Sequence, residues 1–165
     1  MNRPDGRVTR GTTGTNRLRR CDRWLAHLAA GRLRTTPHPL AVDLGFGASP
    51  TTTLEWQRSL LAINPTTEVV GVEIDRERAA AANSVITAIH GGFEIPTTRR
   101  PLLIRAANVL RQYPRTDVEA AWQTMAGRLA TGGWLVDGTC DEQGRLAAMI
   151  SIDDSGAAIV FDKDK

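Results

Sequence analysis

No stretch of this sequence is apolar for long enough to cross a bilayer, which takes about 20 consecutive residues. Cysteine is scarce: Cys21 and Cys140 stand alone without C-x-x-C spacing, and reduced thiols in a cytoplasmic setting are expected. His27, His38 and His90 show no ligand spacing, so no metal is implied. The phosphate-cradling pattern G-x-x-x-x-G-K-[ST] is missing, which speaks against a P-loop nucleoside triphosphatase. The first residues are basic and polar with no apolar stretch behind them, so no secretory leader is read. No internal repeat is visible.

What is present fits one domain. The chain has 165 residues, 41% of them hydrophobic and 24% charged, enough for a real core. The net charge of +3 is unevenly spread: Arg3, Arg7, Arg10, Arg17, Arg19, Arg20 and Arg23 crowd the N-terminal end. Such asymmetry can mark a polyanion partner. Residues 1–15 read as a mobile basic segment, followed by a single domain over 16–165. Three readings of the run from Arg10 to Arg17 stay open: a lid over a ligand, a nucleic-acid-binding tail without interleaved aromatics, or a solvated tail.

The stretch AVDLGFGASP, Ala41 to Pro50, carries the most information. Ala41, Val42 and Leu44 predict a buried strand. Gly45 and Gly47 allow a sharp turn whose backbone lies flat against a ligand, since neither has a Cβ. Ser49 reads as a helix N-cap and Pro50 as the first helical residue. A dinucleotide fingerprint would place a third glycine where Pro50 stands, which weakens an NAD or FAD reading. A second strand, Val69–Ile74, ends in Glu73 and Asp75. An acid at that tip accepts hydrogen bonds from both ribose hydroxyls.

The rest of the chain alternates in the same way. A helix is predicted from about Asn16 to Gly31, another from Pro50 to Ile63, and a short one after Asp75, which caps it. Val85 to Ile89 reads as strand three and Leu102 to Ala106 as strand four. Thr116 to Glu119 reads as a capping box opening a helix with Val118, Trp122, Met125 and Leu129 on one face. Strand five begins at Trp134. Beyond it there is no room for another helix. Turns at Gln143-Gly144 and Asp154-Ser155-Gly156 predict an antiparallel meander of Arg145–Asp153 and Ala157–Asp162, ahead of Lys163-Asp164-Lys165.

Three pieces in this order resemble the Rossmann-like (class I) S-adenosylmethionine-dependent methyltransferases. Asp43-Leu44-Gly45-Phe46-Gly47 is similar to their D-x-G-x-G motif, and Val70 to Asp75 to their second strand with its acidic tip. Leu103 to Leu110 with Leu129 to Val136 is similar to strand four, a helix and the L-x-x-G-G-x-L-V start of strand five. The resemblance covers Leu40 to Asp141 and is nearest to actinobacterial methyltransferase-like proteins of undefined acceptor. It implies an α/β three-layer sandwich, a mostly parallel sheet with helices on both faces. It also implies S-adenosylmethionine as small-molecule methyl donor and an acceptor that is not specified. Family members normally run longer, so a C-terminally truncated chain is one reading.

The resemblance implies a cofactor site of Asp43, Gly45, Phe46, Gly47, Glu73, Ile74, Phe93, Glu94 and Asn108, with no catalytic base assigned. Asp43 would orient the loop or meet the methionine ammonium, and Glu73 would hold the ribose. Phe93 and Glu94 would meet the adenine, and Asn108 would border the methyl donor or acceptor. Arg105, the odd charge in an apolar strand, either pairs with Asp43 or points into the cleft toward an anionic substrate. Tyr113 is a candidate wall of the acceptor pocket. The N-P-P-[YF] segment of amino-group methyltransferases is replaced by Ala107-Asn108-Val109-Leu110. Two further function classes stand beside methyl transfer: a non-catalytic nucleoside- or partner-binding module, and an NAD-linked oxidoreductase.

Overall fold

The apolar residues of the central strands alternate strictly between two cores. The computed structural model describes residues 3–145 and 147–162. Its elements are α1 (Arg19–Thr35), β1 (Leu40–Leu44), α2 (Thr51–Ile63), β2 (Glu68–Glu73), α3 (Arg76–Ala82) and β3 (Thr87–His90). They continue with β4 (Leu103–Ala107), a 3-10 turn (Leu110–Gln112), α4 (Arg115–Ala126), β5 (Trp134–Cys140), β6 (Ala147–Asp153) and β7 (Ala158–Asp162). Met1, Asn2, Leu146 and Lys163-Asp164-Lys165 lie outside the described residues.

One sheet runs in the order β3-β2-β1-β4-β5-β6-β7. The first five strands are parallel, and β6 and β7 return antiparallel as the meander expected from the two glycine turns. Ala41, Val69, Leu103 and Val136 project to one face, where Leu25 and Leu33 of α1 and Trp56 and Leu60 of α2 cover them. Their neighbours Val42, Val70, Ile104 and Leu135 project to the other, under Ala121 and Met125 of α4. This is the two-residue period of a sheet buried on both sides. Each wholly buried leucine contributes about 1.5–3 kcal/mol. The fold is therefore the three-layer Rossmann-like sandwich. Among the described residues no helix is long and apolar enough to cross a membrane.

Several boundaries differ from the sequence reading. Helix α1 starts at Arg19, because Asn16 has a left-handed φ of 60° and the chain turns there before the helix begins. It runs past Gly31 to Thr35, carrying Leu33 into the core. Strand three is displaced toward the C-terminus. Val85 and Ile86 instead close the turn after α3 through bonds to the Ala82 carbonyl, and the Asn83 side chain accepts from the Ala88 N–H. The capping box does not form: Pro114 caps α4 without a side-chain bond, and Thr116 lies inside the helix. Pro50, not Ser49, takes the cap position of α2. Asp75 caps α3 as read, accepting from the Glu77 and Arg78 N–H groups.

Candidate functional site

The strand order reverses between β1 and β4, and ligands of open α/β sheets bind outside the carboxyl ends at such a point. Five loops meet there. After β1, Gly45 and Gly47 take φ values of 70° and 85°, in the region that favours glycine. A Cβ on Gly45 would lie 2.5 Å from Val109 Cγ2, so the turn fits only without a side chain. The ring of Phe46, between the two glycines, is buried with Ala82, Ile86 and Ala88, so only its backbone belongs to the turn.

Glu73 joins this turn to the end of β2. It is 2% exposed, and its Oε2 accepts from the Gly47 N–H at 2.9 Å while Oε1 accepts from the Asp75 N–H at 3.1 Å. The carboxylate is thereby fixed beside the glycine turn with lone pairs to spare. Ile74 follows, its carbonyl bonded to His90 Nε2. After β3, Phe93 packs edge-on against Tyr113, with ring centroids 5.3 Å apart. Glu94 Oε1 accepts from the Gly92 N–H at 2.9 Å. Burial pushes the Tyr113 hydroxyl pKa upward, with the Arg7 contacts opposing.

Asn108 ends β4 in a left-handed conformation, φ 59°, which asparagine tolerates better than most residues. Its N–H donates to the Gly138 carbonyl at 2.7 Å and its Oδ1 accepts from the Cys140 N–H at 2.8 Å, clamping the ends of β4 and β5 together.

Asp43 stands apart from this set. Its Oδ1 accepts from Arg105 Nε at 3.0 Å, and its Oδ2 accepts from Arg105 Nη2 at 2.7 Å and from Thr53 Oγ1 at 2.7 Å. Arg105 is wholly buried, donates also to Asp22 and the Thr52 carbonyl, and lies 4.5 Å from the Trp56 ring centre. Of the two readings of Arg105, the internal ion pair is the one observed; the guanidinium does not reach an outside anion. Its pKa is raised by the two carboxylates against the effect of burial. Burial raises Cys21, on α1 nearby, to about 12, which leaves an inert thiol.

The N-terminal segment crosses the whole cleft. Asp5 bonds to Phe93 and Glu94, Arg7 to Tyr113 and Gln112, and the Thr9 and Arg10 carbonyls to Arg78. The Gly11 carbonyl accepts from the Ala48 N–H at 3.0 Å, and Arg17 Nη1 donates to the Thr12 carbonyl at 2.9 Å. Arg17 is 5% exposed and touches the same small cavity as Gly45 and Asn108; the sequence reading places it only at the end of the candidate lid, outside the cofactor set. Gly6 and Gly11, with φ values of 121° and 71°, shape this strap. Under it remain two cavities of about 20 Å³ each, one beside Glu73 and Phe93 and one beside Asp43 and Asn108. A larger hollow, about 670 Å³, lies elsewhere, between α4 and the β6–β7 turn around Trp122 and Ile152. It touches none of the five loops.

No family model matches the chain, and no curated protein matches it. Solved structures do. A proposed protein-L-isoaspartate O-methyltransferase of Plasmodium falciparum, solved with S-adenosyl-L-homocysteine, is 14% identical with a TM-score of 0.55, over 98% of this chain and 78% of that one. DesVI of Streptomyces venezuelae is 13% identical with a TM-score of 0.55, over 90% and 75%. The sugar N-methyltransferase KedS8 of a Streptoalloteichus species is 17% identical with a TM-score of 0.51, over 95% and 84%. The chain has the Rossmann-like fold seen in these structures.

Proposed function

We propose that the cleft at the carboxyl ends of β1 to β4 binds S-adenosylmethionine, and that the chain is a methyltransferase of an acceptor still to be identified. The observation that carries this reading is the Glu73 carboxylate, buried and fixed against the Gly47 N–H at the tip of β2. A buried acid that keeps free lone pairs beside a Cβ-free turn suits a ribose diol. The other groups fit the remaining parts of the molecule. Ile74 and Phe93 form an apolar slot for a base, and Glu94 with the Phe93 N–H supplies an acceptor and a donor for its edge. Arg17 and Asn108 face the cavity by Gly45, where an amino-acid carboxylate finds a guanidinium. The likeness in fold to a protein solved with S-adenosylhomocysteine supports the same reading.

When bound, the cofactor supplies an electrophilic methyl on sulfonium sulfur. The chain's own residues then orient and desolvate. Glu73 holds the sugar, Asn108 keeps the β4 and β5 ends together at the floor, and the apolar walls exclude water. A second reading, a binding module without turnover, is favoured by the strap across the cleft.

Calorimetric titration with S-adenosylhomocysteine, beside Glu73→Ala and an NADH control, tests the reading. Micromolar binding that Glu73→Ala weakens by about 1–3 kcal/mol is expected. NADH binding in its place overturns it. Binding without methylation of any acceptor in a cell extract supports the module instead.

A further inference from the structure

We infer that residues 5–12 are an intramolecular competitor for the cofactor: their backbone groups occupy the cleft in the place of the nucleoside and of the amino-acid end, and the segment must leave before the cofactor enters. This rests on the cofactor reading above.

The match is group by group. A single residue, Asp5, donates its N–H to Glu94 Oε2 at 2.8 Å and accepts from the Phe93 N–H at 2.9 Å. Side by side, these are the donor and acceptor that the Watson–Crick edge of adenine presents, its amino group and N1. Gly6 lies in the slot where the flat of the base would go. A Cβ there would come within 3.3 Å of both Ile74 Cδ1 and Phe93 Cε2, and 3.0 Å of Tyr113 Oη. At the other end the Thr12 carbonyl sits on Arg17 Nη1 as a carboxylate oxygen would. Between them the Gly11 carbonyl covers Gly47, leaving no space for even a methyl group.

Space gives the same answer. Beside Glu73 and beside Asn108 the cavities left under the strap are about 20 Å³ each, and a hollow of about 390 Å³ that touches Asp5, Gly6, Phe93 and Tyr113 opens toward α4 and reaches neither Glu73 nor Gly45. Either small cavity holds about one water, whereas a site for a ligand of cofactor size takes about 300 Å³ or more. Strap and nucleoside are mutually exclusive in this arrangement. Apart from its bonds with the buried Phe93 N–H and Arg17, the strap is held by hydrogen bonds to exposed or half-buried groups, and its residues add nothing to either large core. It can therefore leave without unfolding the domain. An apparent dissociation constant equals the intrinsic one divided by the fraction of time the site is open, so it rises about tenfold if the strap is docked nine-tenths of the time.

The test compares three chains by calorimetry with S-adenosylhomocysteine: the parent, a deletion of residues 2–12, and full-length Gly6→Val. The valine cannot adopt the positive φ of Gly6 without strain and collides with Tyr113, so it undocks the strap while leaving the domain intact. Thermal unfolding shows that each variant is folded. Both variants are expected to bind about tenfold or more tightly than the parent. Equal or weaker binding by both, with the parent binding, overturns the competitor and leaves the cofactor site standing. No binding by any chain overturns both. Amide hydrogen exchange separates a competitor from a cover that closes on bound ligand. Saturating ligand is expected to strip protection from the amides of residues 5–11, and added protection there overturns the inference.

Discussion

Arg105 and Asp43 are register partners on the adjacent parallel strands β4 and β1, and the guanidinium meets the carboxylate through two bonds of 3.0 and 2.7 Å. Asp22 of α1 takes a third donor of the same guanidinium, and Trp56 of α2 stacks on it. One buried cation thus ties both helices of this layer to the sheet directly beneath the glycine turn. The acid of the D-x-G-x-G motif is consequently engaged within the fold, whereas Glu73, the acid of β2, keeps lone pairs free at the glycine turn.

Breaking this network from its centre is expected to be costly. Arg105→Leu leaves Asp43 and Asp22 buried without a cation, a loss of about 3–5 kcal/mol. That is a large share of the roughly 5–15 kcal/mol that holds a domain of this kind. Adding Asp43→Asn and Asp22→Asn to the same chain is expected to restore much of it, because the stranded charges go. Urea unfolding of the single and triple variants decides. A triple variant no more stable than the single one speaks against charge burial as the cause.

Asp22 gives the network a pH signature. Burial raises its carboxyl from 3.8 to about 6, against the opposing pull of Arg105. The folded chain then binds this proton more tightly than the unfolded chain does. The resulting stability is fully present below about pH 4 and is lost as the pH rises through about 6, on the order of 2–3 kcal/mol. Asp22→Asn keeps an oxygen for Arg105 and removes the charge. Relative to the parent it is expected to gain stability between pH 4 and pH 7. Unfolding midpoints that move in parallel for the two chains across that interval would falsify the assignment.

Much of this was legible in the sequence because it depends on local rules. Gly45 and Gly47 announced a turn that needs positive φ, and an arginine inside an apolar strand announced a buried partner. The meander followed from two glycine turns with no helical period between them. The shifted third strand was not legible. Val85 and Ile86 favour a strand by type, but the bond from the Ala88 N–H to Asn83 starts it later, and Val85 is 56% exposed. Nor was the strap. Asp5, Thr9, Gly11 and Thr12 act through backbone groups, which leave no side-chain pattern, so a polar segment that makes specific contacts reads like a solvated tail.

The glycine turn itself can be tested apart from any ligand. Gly45→Ala meets a left-handed backbone, worth about 1–2 kcal/mol, and an overlap with Val109 Cγ2 at 2.5 Å, worth about 1–3 kcal/mol more. Val109→Ala removes the second cost and not the first. In a double-mutant cycle by urea unfolding, the pair is expected to be less destabilised than the sum of the single changes. Strict additivity contradicts the overlap.

Gly47 is constrained by the strap as well as by its own φ of 85°. A Cβ there would lie 2.5 Å from the Gly11 carbonyl oxygen, which is held by the Ala48 N–H at 3.0 Å. Backbone on backbone has no flexible side chain to give way, so one of the two must move. The turn is anchored by Glu73 from within the fold, whereas the strap is anchored by hydrogen bonds at the surface. The strap is therefore expected to yield. Gly47→Ala should cost about 1–2 kcal/mol from backbone strain, both in the full chain and in a chain lacking residues 2–12. In the full chain it should also quicken tryptic cleavage after Arg7 and Arg10 several-fold, since a docked strap denies a protease the extended backbone it needs. Unchanged cleavage, with a larger stability loss in the full chain than in the shortened one, would mean that the strap holds and the turn gives way.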